Sequence, residues 1–277
     1  MNARLLSAFA FLLAFAVQGV RAQSFPEGDV FRPLIADPAE ARFFVSVLGL
    51  HAGTESYTIG SVGAGTNFGL YRWPGERPGE GWQIGVDGFV ASQFNLDTGS
   101  DDLINTDYRF GVPLSYKRGN FSGRAKLFHQ SSHLGDEIIL TGNAPARVNL
   151  SIEALDFVLA WEHANWRLYG GGFYVLSSDI EDQKEAGVHA GLDYSGQAPV
   201  LFGARLVGGL DFRSFEETDW RVGTSVKLGL EFGRPRPERR GLTVLLEGYN
   251  GPAPFGQFYT TYAKYYGVAL QFDTGPQ

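Results

Sequence analysis

Residues Trp220 to Phe232 read WRVGTSVKLGLEF, which puts an apolar side chain at every even position except Thr224 and places Arg221, Lys227 and Glu231 among the odd ones. Successive side chains of a strand point to opposite faces, so this stretch has one greasy face and one wet face. The greasy face begins at Trp220 and ends at Phe232. An apolar row with an aromatic residue at each end is the pattern of a strand that crosses an outer membrane as part of a barrel.

The same alternation recurs from residue 43 to residue 272, giving twelve candidate strands: 43-50, 57-72, 81-95, 103-118, 120-133, 149-163, 166-177, 186-195, 200-213, 220-233, 241-249 and 261-272. An even number of antiparallel strands closes into a single-chain barrel. The expected fold is therefore all-β, one closed antiparallel transmembrane barrel in one domain. The expected connections alternate in length. Gly119-Asn120, His163 to Asn165 and Gly196 to Pro199 are short, whereas 134-148, 178-185 and 250-260 are longer. Short periplasmic turns and long outer loops would put both termini in the periplasm. Trp73 to Glu80 is a longer Pro/Gly-rich exception.

The ends of the chain fit this reading. Arg4, an apolar run from Leu5 to Val17, and Val20-Arg21-Ala22 form a secretory signal peptide spanning residues 1-22. Residues 23-42 read as a periplasmic lead segment or partial plug, rich in proline and acid, and residues 273-277 as a short tail. No later stretch approaches the roughly 20 apolar residues of a transmembrane helix. The 37 glycines and 14% aromatic content suit strands packed edge to edge. With no cysteine, disulfides, thiol nucleophiles and cysteine metal sites are excluded. A net charge of -7 argues against nucleic acid as a partner, since that needs a basic stripe.

Face parity assigns directions to individual side chains. In the fourth segment Tyr108, Phe110, Val112, Leu114 and Tyr116 point outward, and Asn105, Asp107 and Arg109 inward. Asp87, Arg124, Lys126, Asp156, Arg205, Asp211, Arg213 and Glu247 also fall on lumen faces. Opposite charges so placed pair across the lumen and crowd it, which predicts a narrow or blocked interior. Gly63 and Gly65 lead into no helix, so they relieve crowding rather than bind a dinucleotide.

The residues with chemical potential lie at the top of two neighbouring segments. In the fifth, Phe121, Gly123, Ala125 and Leu127 face lipid, so His129, Ser131 and His133 continue that row. In the sixth, Leu155, Phe157, Leu159 and Trp161 face lipid, with Asn149, Ser151 and Glu153 above them. Pairing Phe121 with Trp161 and Leu127 with Leu155 sets His129 opposite Glu153, Ser131 opposite Ser151 and His133 opposite Asn149. A serine nucleophile (Ser131), a histidine base (His129) and a residue to orient the imidazole (Asn149 or Glu153) are the parts of an acyl-transfer site. On this face the substrate would be a lipid ester. His129 and His133 are too far apart to chelate a metal, at about 13 Å along a strand. His51, His163 and His189 fall at a loop, a turn and a lumen face and read as structural.

His129-Gln130-Ser131 resembles the Asn-His-x-Ser of outer-membrane phospholipase A, a twelve-stranded barrel whose histidine and serine face lipid, with an asparagine on the next strand. Here Phe128 replaces the first asparagine and Ser132-His133 stand where Asn-Gly is usual. The resemblance implies calcium, for which Asp136 and Glu137 are the nearby oxygen donors. Residues Phe31 to Pro38 (FRPLIADP), the stretch HQSSHLGDE from His129 and the C-terminal strand resemble a second group more extensively, bacterial outer-membrane proteins known only as a domain of unknown function. That likeness implies a location and no activity. Tyr265 to Phe272 (YYGVALQF) is similar to the C-terminal signal of outer-membrane proteins, which implies outer-membrane lipids and the barrel-assembly machinery as partners. Two rival readings remain: a narrow channel lined by Asp107, Arg109, Arg124 and Arg205, and a structural barrel without chemistry.

Overall fold

The computed structural model describes residues 22-140, 148-233 and 241-273. The expected signal peptide up to residue 21, and the expected tail beyond Asp273, lie outside the described residues. Thirteen strands form one sheet: β1 (Gln23–Ser24), β2 (Phe43–Ala52), β3 (Glu55–Pro74), β4 (Gly81–Asn95), β5 (Asp102–Arg118), β6 (Phe121–Leu134), β7 (Ser151–His163), β8 (Trp166–Ser178), β9 (Ala186–Leu201), β10 (Ala204–Phe215), β11 (Val222–Gly233), β12 (Gly241–Pro252) and β13 (Tyr262–Asp273). Each strand from β2 to β13 pairs antiparallel with its sequence neighbours, and β13 pairs with β2, so twelve strands close the barrel. β1 is an extra short strand that pairs with Tyr71 and Arg72 of β3. The one α-helix among the described residues is a single turn, α1 (Asp136–Leu140).

Burial is inverted relative to a soluble sheet. Along β11 the apolar Val222, Val226 and Leu228 are exposed, while Ser225 and Glu231 are buried. Such a surface is stable against hydrocarbon rather than water. Most boundaries shift by one to three residues from the sequence expectation, and two differences have a local backbone cause. Trp220 precedes β11 rather than opening it, because Asp219 and Trp220 both adopt positive φ and break the strand. The hairpin between β9 and β10 turns at Phe202-Gly203, not at Gly196 to Pro199. Both turn residues have positive φ, the geometry that matches strand twist in a two-residue turn. Gly196 to Pro199 instead sits beside a register irregularity in the β9–β10 ladder.

Gly63 has a steric reason. A Cβ there would lie 2.2 Å from the Phe44 ring, which occupies the space on the neighbouring strand.

Residues 28-42 run through the barrel interior, where Val30, Phe31, Leu34 and Ala36 are shielded. Phe31 and Leu34 pack with Val158, Ala160 and Tyr169 of the wall. Wall arginines hold the segment's backbone: Arg167 donates to the carbonyls of Arg32 at 2.6 Å and Pro33 at 2.7 Å, Arg109 to Ala39 at 2.8 Å and Arg72 to Gly28 at 2.6 Å. This segment is a plug whose polar groups are satisfied by the lumen.

The charges lie on the lumen faces as parity places them, but they pair between nearby strands or with the plug rather than across the lumen. Lys126 meets Asp87, Lys227 meets Glu247, Arg205 meets Glu231, and Arg124 meets Glu40 and Asp156. Of the residues that a channel would use, Asp107 accepts from the Gly256 backbone, Arg109 holds the plug and Arg205 is paired. The interior contacts give the channel reading no support.

Candidate functional site

β6 and β7 meet in the register that their lipid faces require. Phe121 pairs with Trp161, Leu127 with Leu155, His129 with Glu153 and Ser131 with Ser151. His129 and Glu153 are exposed on the outer face, and His129 Nδ1 lies 3.1 Å from Glu153 Oε1. On the other side, β5 sets Phe110 opposite His129 and Tyr108 opposite Ser131. Below the polar pair, Phe121, Leu155, Phe157 and Leu159 form an exposed apolar surface. Ten residues separate Phe121 from Ser131. At about 3.3 Å per residue and a tilt near 40°, that is a rise of roughly 25 Å, the height of an outer-membrane apolar band. Ser131 thus sits at the upper edge of that band.

The hydrogen bond at Nδ1 has a chemical consequence. A carboxylate accepts only, so Nδ1 carries a proton, and in the neutral ring the lone pair is on Nε2. That is the tautomer of a general base. Ser131 lies two residues along on the same face, half-buried, and no hydrogen bond joins its hydroxyl to the His129 ring. Catalytic hydrogen bonds often tighten only when substrate is present.

The other expected residues lie elsewhere. The β6–β7 ladder ends at Ser131 and Ser151, so Asn149 precedes β7, and its Nδ2 donates to Asp179 at 3.1 Å. It does not meet His129. His133 packs edge-on against Tyr108 at 5.8 Å between ring centroids. Asp136 and Glu137 are exposed in α1, and among the described residues no third carboxylate or imidazole gathers with them. Calcium takes six to eight oxygens, more than these two side chains supply. What sequence reasoning missed is the plug's arginine clamp, because contacts between residues 44 to 135 positions apart leave no local pattern.

The sequence profile of a family described as protein of unknown function, DUF1207, matches residues 13–274. The chain belongs to this family. No curated protein matches it. Among solved structures, the DUF1207 barrel is similar to the Salmonella typhi outer membrane phospholipase dimer with bound calcium. That alignment covers 86% of this chain and 94% of the other, at 12% identity and a TM-score of 0.57. Outer membrane phospholipase A from Escherichia coli aligns over 84% of this chain and 90% of its own, at 11% identity and a TM-score of 0.55. At this identity the likeness concerns the fold alone.

Proposed function

We propose that this protein is an outer-membrane barrel, with its short turns in the periplasm, that hydrolyses acyl esters of outer-leaflet lipid. The observation that carries the reading is the outward-facing contact of His129 Nδ1 with Glu153 Oε1 at 3.1 Å, two residues from a serine on the same face. Ser131 attacks the ester carbonyl through Oγ. His129 Nε2 takes the hydroxyl proton and returns it to the departing alkoxide. Water then enters by the same base and releases the fatty acid. Glu153 keeps Nδ1 protonated and steadies the imidazolium as it forms. Phe110, Leu127 and Leu155 offer apolar surface to the acyl chain just below.

The fold shared with two outer membrane phospholipases supports a lipid substrate. The Salmonella structure carries calcium, and no step here is assigned to it. The purified protein in phospholipid vesicles tests the reading. Wild type is expected to release fatty acid and Ser131→Ala to lose that release. Equal rates from the two proteins would end the proposal.

A further inference from the structure

Inside the barrel, three side chains from three elements bring metal-ligand atoms together. Asp37 comes from the plug, His189 from β9 and Asp211 from β10, and one ligand atom of each lies within 4.8 Å of the other two. The β9–β10 register explains part of this. His189 is directly opposite Arg213, which makes Asp211 its diagonal neighbour on the lumen face. The plug then delivers Asp37 against that face.

His189 is the anomaly of the interior. It is 6% exposed, and neither ring nitrogen makes a hydrogen bond. Nε2 lies 3.3 Å from Asp156 Oδ1, within ion-pair reach but outside hydrogen-bond geometry, and Nδ1 has no partner at all. Buried polar atoms in a folded protein are almost always satisfied, so an orphaned imidazole asks for a partner.

Charge points the same way. Four carboxylates, Asp37, Glu40, Asp156 and Asp211, are linked by ion pairs to two guanidiniums, Arg124 and Arg213. Within this ion-paired set carboxylates outnumber guanidiniums four to two, with Lys126, Arg42 and Arg109 as further cations nearby. Arg213 contacts one oxygen of Asp37 and one of Asp211, and each carboxylate keeps further lone pairs for a second cation.

We propose that Asp37, His189 and Asp211 bind a divalent transition-metal ion that pins the plug to the barrel wall. With the metal on Nδ1, Nε2 would turn its proton to Asp156 Oδ1, now 3.3 Å away, the usual arrangement of a carboxylate behind a metal-bound histidine. One imidazole with two carboxylates suits zinc, manganese or iron rather than calcium or magnesium, which take oxygen alone. Bonds of about 2.0–2.2 Å would draw the ligand atoms to roughly 3–4 Å apart, a small contraction from their present spacing. The two strands position two ligands and the plug the third, so the ion crosslinks segments about 150 residues apart in sequence.

The test uses the untagged protein folded in detergent, stripped with EDTA and titrated separately with zinc chloride and manganese chloride. Bound metal is counted by mass spectrometry after gel filtration, and folding is followed by heat-modifiable gel mobility. The wild type is expected to bind about one equivalent of at least one of the two ions and to gain thermal stability from it. His189→Gln and Asp37→Asn should each weaken that binding at least about tenfold, while the double variant of His129 and His133 to Ala keeps it. Asp37 belongs to the plug, so Asp37→Asn leaves the twelve-stranded wall intact and remains informative if His189→Gln does not fold. Wild-type protein that binds neither ion, or wild-type binding in a folded Asp37→Asn variant, would overturn the proposal.

Discussion

Arg124 of β6 grips Glu40 of the plug through both terminal nitrogens, Nη1 to Oε2 at 3.1 Å and Nη2 to Oε1 at 2.6 Å. Both side chains are buried, so the pair is hidden from solvent screening. Burial alone would raise the Glu40 carboxyl above its usual range, but the adjacent Arg124 outweighs it and holds the group down to about 2. A depressed carboxylate stabilises the folded state at neutral pH, and that contribution is lost as pH falls from about 4.5 towards 2. Glu40→Ala is expected to cost roughly 3 kcal/mol at pH 7, the low end for a broken buried pair, because Arg124 keeps Asp156 at 3.5 Å. Thermal unfolding should show the gap between variant and wild type closing as pH falls through that window. A constant gap from pH 7 to pH 2 would contradict the assignment.

Asp29 predicts the opposite slope. It accepts hydrogen bonds from Asn67 and Gln83, and burial pushes its carboxyl up to about 6. A raised acid binds its proton more tightly when folded, so stability is greatest below about 4 and declines as pH rises to about 6. Asp29→Asn keeps an acceptor for both partners and carries no charge. It should therefore match wild type near pH 4 and exceed it at pH 7, by at most about 3 kcal/mol. Hydrogen exchange of the Val30 and Phe31 amides measures this at the plug itself, and slower exchange in wild type at pH 7 would refute it.

The contrast between the wall and the plug shows what the amino-acid order makes legible. Val222, Val226 and Leu228 announce their face because a strand repeats every two residues, and the lipid face must be apolar throughout. The β6–β7 register was readable because Phe121 and Trp161 are both placed at the end of a lipid-facing row. Parity leaves Asn149 and Glu153 on the same face; the ladder ends at Ser151, so Glu153 is the one paired opposite His129. The Phe202-Gly203 turn was hidden by the stronger turn composition of Gly196 to Pro199. The Arg167 contacts to the Arg32 and Pro33 carbonyls have no sequence signature, because any residue carries a carbonyl.

Gly63 of β3 and Phe44 of β2 form a directly opposed pair in which one side chain fills both positions. Gly63→Ala is expected to destabilise the barrel by about 1–3 kcal/mol, since the ring must leave its place. Adding Phe44→Leu should recover part of that loss, giving a favourable coupling in the double-mutant cycle. Strictly additive effects in thermal unfolding would show that the ring is not what the new methyl meets.

The hydrolase reading makes its sharpest prediction at the third residue of the site. Glu153 touches His129, whereas Asn149 is turned to Asp179. Glu153→Ala should lower kcat for fatty-acid release by up to about 10⁴-fold, the loss seen when a histidine base is left in the wrong tautomer. Glu153→Gln retains an acceptor for Nδ1–H but not the charge that steadies the imidazolium, so its loss should be smaller than that of Glu153→Ala. KM should change little in both, because neither substitution removes surface that holds the acyl chain. Asn149→Ala should leave kcat unchanged. The reverse outcome, a large loss at Asn149 and none at Glu153, would mean that substrate pulls the start of β7 into a different register, and the assignment of Glu153 would fall.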